Sequence, residues 1–334
     1  MDSSPKNIVD AFGRIHDYLR ISLTEKCNLR CVYCMPEDGV ALKENSKYMN
    51  KNELLLLAEN FVQLGVKKIR LTGGEPFVRK DVAEIIQELS KLPAELAITT
   101  NGILIDKHLD TLLQSGVKSI NVSLDTLNKE RFNQLTRRNY FDKVMSNIDL
   151  LIKNNFHVKL NAVLIKGQND NELIDFIEFT RHSPLHYRFI EFMPFDGNNW
   201  NWSKGISYNE IVQKATLHYG EDLIKIEDKK NDTSKNFKIK GYAGTFAIIS
   251  SVTNPFCDSC NRIRVTADGK LKNCLFSDSE TDLLTSIRKG EDIKGLILES
   301  ILNKKKKRGG MNTFSEFSDP LKHGVNRSMV SIGG

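Results

Sequence analysis

The 334-residue chain has no apolar run approaching the roughly 20 residues that a membrane-spanning helix needs, which argues against an integral membrane protein. Met1 to Ile21 shows no apolar segment followed by a small-residue cleavage site. A secreted, oxidising destination is therefore not expected, and a reducing cytoplasmic one is. Histidine is scarce, and the first one after Cys34 is His108, too distant for a usual zinc-ligand spacing. The formal net charge of +6 is a modest excess. It favours an anionic partner, but part of it sits in the single run Lys304–Arg308, which reads as a solvated helix end and not as a nucleic-acid patch. Cysteine is limited to six residues in two groups of three, with none left over and no fourth cysteine in either group. In a reduced protein that pattern points to two metal centres instead of a disulfide framework.

The first group is Cys27, Cys31 and Cys34 in CNLRCVYC, a C-x3-C-x2-C spacing. Three thiolates can hold a four-iron cluster and leave one iron without a protein ligand, whereas clusters used only for electron transfer normally have four cysteines. An open metal position is the mark of a site that binds a small molecule. A zinc knuckle, a disulfide and simple buried thiols are the competing readings, and the compartment and the missing fourth ligand weigh against all three.

Between residues 18 and 193 short apolar runs alternate with longer segments of helical period, which predicts repeated βα units and a parallel sheet. The expected strands are Tyr18–Leu23, Lys68–Thr72, Glu95–Thr99, Ser119–Leu124, Val158–Leu164 and Tyr187–Phe192. Asn50 with Glu53, and Asp81 with Glu84, read as helix-start boxes. CNLRCVYC follows the first strand, Gly73–Pro76 the second, Thr100–Gly102 the third, Asp125 the fourth and Met193-Pro194 the sixth. In parallel βα folds such segments gather at one mouth. Six units are too few for an eight-stranded barrel, so the fold class expected is α/β, a partial (βα)6 barrel open on one side. Residues 5–222 form that barrel and 223–334 a C-terminal region that covers the opening. The polar stretch Glu227–Lys235 reads as a loop or linker.

The second group, Cys257, Cys260 and Cys274, is C-x2-C-x13-C, with RIRVTADGKLKN between its last two members. Asp268-Gly269 between alternating runs predicts a two-residue hairpin turn that returns Cys274 opposite Ile263. Zinc competes better here, because C-x2-C plus a returning hairpin also describes a zinc ribbon. Arg262 and Arg264 lie two apart, on one face of the strand, where they could clamp a phosphate or carboxylate or remain edge-strand charges.

With both groups read, the chain resembles the radical S-adenosylmethionine (SAM) enzymes and, within them, the GTP 3′,8-cyclase family of molybdenum cofactor biosynthesis. The resemblance rests on Gly13–Pro36, RLTGGEP (Arg70–Pro76), Ser123–Asp125, RFIEFMP (Arg188–Pro194), Phe256–Phe276 and the terminal Gly333-Gly334. It implies a partial (βα)6 barrel with a C-terminal extension, and two [4Fe-4S] clusters. Cys27, Cys31 and Cys34 would hold the cluster whose open iron binds SAM, contacted by Tyr33, Gly74, Ser123 and Met193. Glu75 would accept from the SAM ammonium, and the lack of Cβ at Gly73 and Gly74 would let backbone approach a ligand. A 5′-deoxyadenosyl radical would take hydrogen from C3′ of GTP, and C3′ would then add to guanine C8. Cys257, Cys260 and Cys274 would hold the second cluster, which receives guanine. Arg20, Arg70, Thr99, Lys159, Arg262, Arg264 and the Ile263 backbone would hold GTP, and Arg262, Arg264, Gly333 and Gly334 would complete the catalytic centre. On barrel-lining strands, Arg20, Arg70 and Lys159 would be costly without an anion. A reducing electron donor, a downstream cyclic pyranopterin monophosphate synthase and a homodimer are the implied partners, with no membrane and no nucleic acid. The rival readings are a radical SAM peptide maturase with an auxiliary cluster and a zinc-containing RNA-binding protein.

Overall fold

The structure is a computed structural model that describes residues 7–35, 39–319, 323 and 326–333. Six strands fall on the runs picked out above: β1 (Tyr18–Ser22), β2 (Lys68–Thr72), β3 (Glu95–Thr100), β4 (Ser119–Ser123), β5 (His157–Leu164) and β6 (His186–Glu191). They pair in parallel in sequence order, with helices 51–63, 82–89, 105–114, 129–136, 141–153 and 173–178 in the crossovers. Asn50 and Glu53 form the expected capping box. Asp81 does not cap its helix, because Arg79 takes its carboxylate at 2.7 and 3.2 Å.

The C-terminal region adds β7 (Leu223–Lys225), β8 (Lys235–Ile239), β9 (Thr245–Ile249), β10 (Arg262–Val265), β11 (Lys270–Lys272) and β12 (Thr281–Asp282). The stretch Glu227–Lys235 belongs to the β7–β8 hairpin, as its loop up to 234 and the first residue of β8, and is not a linker. Among the described residues the twelve strands make one sheet in the order β12-β11-β10-β1-β2-β3-β4-β5-β6-β9-β8-β7. Because β10 pairs parallel with β1 and β9 parallel with β6, the parallel wall has eight strands, two more than the βα rhythm gave. Their connection, residues 250–261, runs from one edge of that wall to the other and carries only a 3-10 turn, Cys257–Ser259. No α-helix separates β9 from β10, so these two strands left no βα rhythm in the sequence. The sheet stays unclosed, a partial barrel whose open side the 250–261 crossing spans.

The two faces of the wall differ in chemistry. Leu19, Ile21, Ile69, Leu71, Ile98, Ile120, Leu160 and Phe189 are buried under the helices in one cluster with Leu54, Phe61, Ile85 and Ile148. Full burial of each such side chain stabilises by about 1.5–3 kcal/mol. The alternate positions, facing inward, are Arg20, Arg70, Thr99, Asn121, Lys159, Asn161, Arg188 and Arg264. A closed eight-stranded barrel fills its interior with branched apolar side chains. This interior is polar and cationic, so it is built for a ligand and not as a core.

Candidate functional site

Segment 23–35 leaves the carboxyl end of β1 and is held at both ends. Leu23 N donates to Thr72 O (2.9 Å), and Arg30 N and Val32 N donate to Thr136 O and Leu135 O (both 3.0 Å) at the end of helix 129–136. Between these ties, Cys31 O accepts from Cys34 N and Met35 N, a tight turn that brings Cys31 and Cys34 onto one side. Gly73 and Gly74 pack beneath it: a Cβ on Gly74 would lie 2.5 Å from Lys26 O and one on Gly73 2.7 Å from Thr24 O. The close approach that requires glycine within the protein is therefore to the base of the cysteine loop, while both glycines also line the cleft.

Cys27, Cys31 and Cys34 line a cleft at the carboxyl ends of the strands, together with Tyr33, Gly74, Thr99, Ser123 and Met193, all named from the sequence. Asp125, Asn161 and Met329 line it too. Glu75 does not. It is fully buried, accepting from Phe77 N (3.1 Å), Thr100 Oγ1 (2.8 Å) and Asn101 N (2.7 Å), and burial pushes its pKa up to about 7. Its work here is to hold Asn101, whose Nδ2 stands 3.9 Å from Cys27 Sγ and 2.6 Å from Asn28 Oδ1. Asp125 accepts from Tyr33 Oη (2.6 Å) and Val163 N (2.8 Å), and burial raises it to about 6.

The interior between the strand ends is a ladder of cations. In register, Arg264 of β10 lies beside Arg20 of β1, and Arg20 beside Arg70 of β2. Across the barrel, burial followed by the neighbouring arginines pulls Lys159 down to about 8 and Arg188 to about 9. Burial would raise the Tyr18 phenol, yet Arg70, Arg20 and Arg262 outweigh it and hold it at about 7. Arg262 lies over the Tyr18 and Phe256 rings, at 5.6 and 5.2 Å. The Nε of Arg264 and the Oδ1 of Asn121 are buried with no hydrogen-bond partner. Crowded buried cations with an orphaned donor among them fit a polyanion. Ile263 turns its side chain into the outer apolar layer and offers only backbone.

The second triad lies at the other end of the strands. Tyr18 pairs with Arg262, so Cys260 stands two residues before the amino end of β1, while Cys27 lies beyond its carboxyl end. At about 3.3 Å per residue, that separates the triads by roughly 20 Å of strand. The hairpin turn holds three residues, 267–269, with Arg264 opposite Lys272, so Cys274 falls opposite Arg262 and not Ile263. The extra residue arises because only Gly269 takes positive φ (70°), while Thr266 Oγ1 accepts from Lys270 N (3.0 Å). Among the described residues no three His, Cys, Asp or Glu side chains converge on a single metal ion.

The run Lys304–Arg308 is only in part the solvated stretch expected: Lys305 and Lys306 are exposed, but the two ends are buried. Lys304 and Arg308 are each 4% exposed. Arg308 donates to Val252 O (2.8 Å) and Asn312 O (2.9 Å), and Lys304 donates to Arg262 O (3.0 Å). The charges serve buried carbonyls, which a run of like residues does not reveal in sequence. The tail is docked as well. Arg327 pairs with Asp268 and Glu280, Met329 reaches the cleft, and Gly333 (φ 86°) lies so close to β1 and β2 that a Cβ would meet Thr72 Oγ1 at 2.7 Å. Gly334 lies outside the described residues. Arg188, Tyr18 and Asn161 were missed as site residues; Arg20 and Arg70 came from the resemblance, and a polar residue alternating with apolar ones on a barrel strand is the signal that could have found the others.

Residues 21–180 match the radical SAM superfamily and residues 185–309 match Molybdenum Cofactor Synthesis C. The chain is 46% identical to GTP 3′,8-cyclase, mitochondrial, of Arabidopsis thaliana, over 98% of this chain and 83% of that one. It is 41% identical to GTP 3′,8-cyclase of Listeria welshimeri, over 88% and 90%. Molybdenum cofactor biosynthesis protein 1 of Homo sapiens is 44% identical over 97% of this chain, which spans 51% of that longer protein. Among solved structures, Streptococcus suis SuiB shares the fold at 16% identity, with a TM-score of 0.63 over 88% of this chain and 68% of SuiB. With identity above 40% across nearly the whole length of two cyclases, and both domain matches in order along the sheet, the chain belongs to the GTP 3′,8-cyclase family of radical SAM enzymes.

Proposed function

We propose that this chain is a radical SAM GTP 3′,8-cyclase, which joins C3′ of GTP to guanine C8 to give (8S)-3′,8-cyclo-7,8-dihydroguanosine 5′-triphosphate, the first step of molybdenum cofactor biosynthesis. The observation that carries this reading is the cationic barrel interior, Arg20, Arg70, Lys159, Arg188 and Arg264, set between two cysteine triads at opposite ends of the strands. A [4Fe-4S] cluster on Cys27, Cys31 and Cys34, when bound, supplies the reductive cleavage of SAM that starts the reaction. On the chain's side, Gly74, Ser123 and Met193 shape the SAM side of the cleft, with the Tyr33 ring fixed there by Asp125. The cations neutralise the triphosphate, Thr99 and Asn161 offer polar contacts between the two substrates, and Gly333 with the docked tail closes the strand ends to water. Cys257, Cys260 and Cys274 would hold a second [4Fe-4S] cluster, which would offer an open position for the guanine, with Arg262 and Arg264 beside it.

The division at 222/223 falls immediately before β7, where the sheet turns from βα units to hairpins, and supports treating 223–334 as the part that carries the second cluster. The reading also needs a one-electron reductant and passes its product to a cyclic pyranopterin monophosphate synthase. Six cysteines without disulfides are in keeping with the cytoplasm. No helix among the described residues is long and apolar enough to cross a membrane.

Anaerobic incubation with GTP, SAM and a reductant tests the assignment. Loss of GTP together with 5′-deoxyadenosine formation is expected; deoxyadenosine that appears only when a peptide is supplied would favour a maturase and sink the cyclase reading.

A further inference from the structure

We propose that Lys304, aimed by an Asp10–His16 pair, is a positioning residue for the second cysteine triad: it fixes a buried positive charge against Cys260 and raises the reduction potential of the cluster held there. This rests on the reading of that triad as a cluster site.

Lys304 follows helix 294–302 and is almost wholly buried. Its Nζ lies 3.5 Å from Cys260 Sγ, 3.5 Å from His16 Nδ1 and 3.0 Å from Arg262 O. The other nitrogen of His16, Nε2, lies 3.0 Å from Asp10 Oδ2. Asp10, buried as well, also accepts from Phe12 N (2.9 Å), Arg14 N (3.0 Å) and Arg14 Nε. A carboxylate acceptor at Nε2 places the imidazole hydrogen there and leaves the Nδ1 lone pair to accept from the ammonium. The path from Asp10 through His16 and Lys304 to Cys260 thus has every donor facing an acceptor. Arg14 locks it to the triad by donating to Cys257 O (2.7 Å) and Lys306 O (2.9 Å).

A buried ammonium is costly unless it meets negative charge. Among the described residues no carboxylate pairs with Lys304, and the Cys260 sulfur is the anion within reach. A cation and its hydrogen bond beside a cluster sulfur stabilise the reduced cluster, which carries one more negative charge. Among the described residues no lysine ammonium is hydrogen-bonded to a sulfur of the first triad, and the neutral Asn101 stands beside Cys27 Sγ.

The test uses the full chain with Cys27, Cys31 and Cys34 all changed to Ser, so that only the second triad can load. Reconstituted anaerobically, it is expected to hold about four irons; an iron-free protein would overturn the cluster reading itself before Lys304 is touched. In that background, Lys304→Met is expected to shift the midpoint potential, followed by electron paramagnetic resonance, to more negative values, and Lys304→Arg to restore it. An unchanged potential at full iron content overturns the proposal. If Lys304→Met does not load iron, His16→Gln is read in its place. It keeps the ammonium but removes its aim, and a smaller shift in the same direction is expected; no shift sinks the idea.

Discussion

Buried acids act on one cysteine triad and buried bases on the other. At the carboxyl end of the strands, burial and then Asp125 push the Cys31 thiol far up, and burial and Glu75 contribute to raising Cys27 to about 11. At the amino end, burial pushes Cys260 up, but Lys304, Arg262 and Arg264 outweigh it and hold it at about 7. Cys31 and Cys260, one thiol in each triad, therefore stand in fields of opposite sign. Negative surroundings disfavour an added electron and make a reduced cluster a stronger reductant, which is what cleaving SAM requires. Positive surroundings favour a site that receives electron-rich or anionic groups. The division of labour between the two ends is written in their neighbours more than in their ligands.

The comparison breaks most sharply at the cysteines. Cys27→Ser is expected to abolish 5′-deoxyadenosine formation, whereas Cys274→Ser should leave SAM cleavage and lose the cyclised nucleotide. Equal residual activity in both variants would show that the triads are not divided in this way. Next in size is Gly74→Ala, whose Cβ would come within 2.5 Å of Lys26 O and 2.9 Å of Glu25 O. Both contacts are backbone and cannot swing aside, so a loss of about 1–3 kcal/mol in urea unfolding is expected. Iron should leave the first triad while the second stays loaded, and a variant that keeps both clusters would contradict the packing argument. Arg264→Ala removes one rung of the cationic ladder. A charge-assisted phosphate contact is worth more than about 1 kcal/mol, so GTP should bind at least several-fold more weakly in equilibrium titration, with SAM cleavage in its absence unchanged.

How much of this was legible in the sequence differs between the same two ends. The carboxyl end was read nearly in full, because β1 to β6 obey period-2 and period-3.6 patterns and each functional segment follows directly on a strand. The amino end was read only in part. Asp10, His16, Lys304 and Cys260 are brought together by the pairing of β10 with β1, a long-range contact with no local periodicity. Lys304 and Arg308 looked as solvated as the lysines between them because sequence shows charge but not the carbonyls and sulfur that engage these two. Glu75 was misdirected for the converse reason: its partners, Thr100 and Asn101, belong to the next strand and its loop, so its carboxylate was already engaged within the protein.

The gentlest test of the contrast lies in pH. Tyr18 is held at about 7 against an ordinary 10, so the folded state binds its proton less tightly than the unfolded chain. Its stabilising contribution is fully present above pH 10 and is lost as pH falls through 7, with a slope no steeper than about 1.4 kcal/mol per pH unit. Lys159, lowered from 10.5 to about 8, adds a rise of the same sign between those values. Glu75 and Asp125, raised to about 7 and about 6, act oppositely at the other end, and their stabilisation is lost as pH rises through those values. Comparing Tyr18→Phe with the unaltered chain in urea unfolding at several pH values between 7 and 10 cancels every other titration. The unaltered chain should gain more stability with rising pH, and parallel profiles would remove Tyr18 from the cationic ladder. Physically, a phenol whose proton the surrounding arginines loosen is a source of negative charge for the interior. Adding GTP should therefore return the phenol toward its ordinary range, seen as loss of tyrosinate ultraviolet absorption near pH 8, because phosphate then carries the negative charge that the arginines draw from Tyr18.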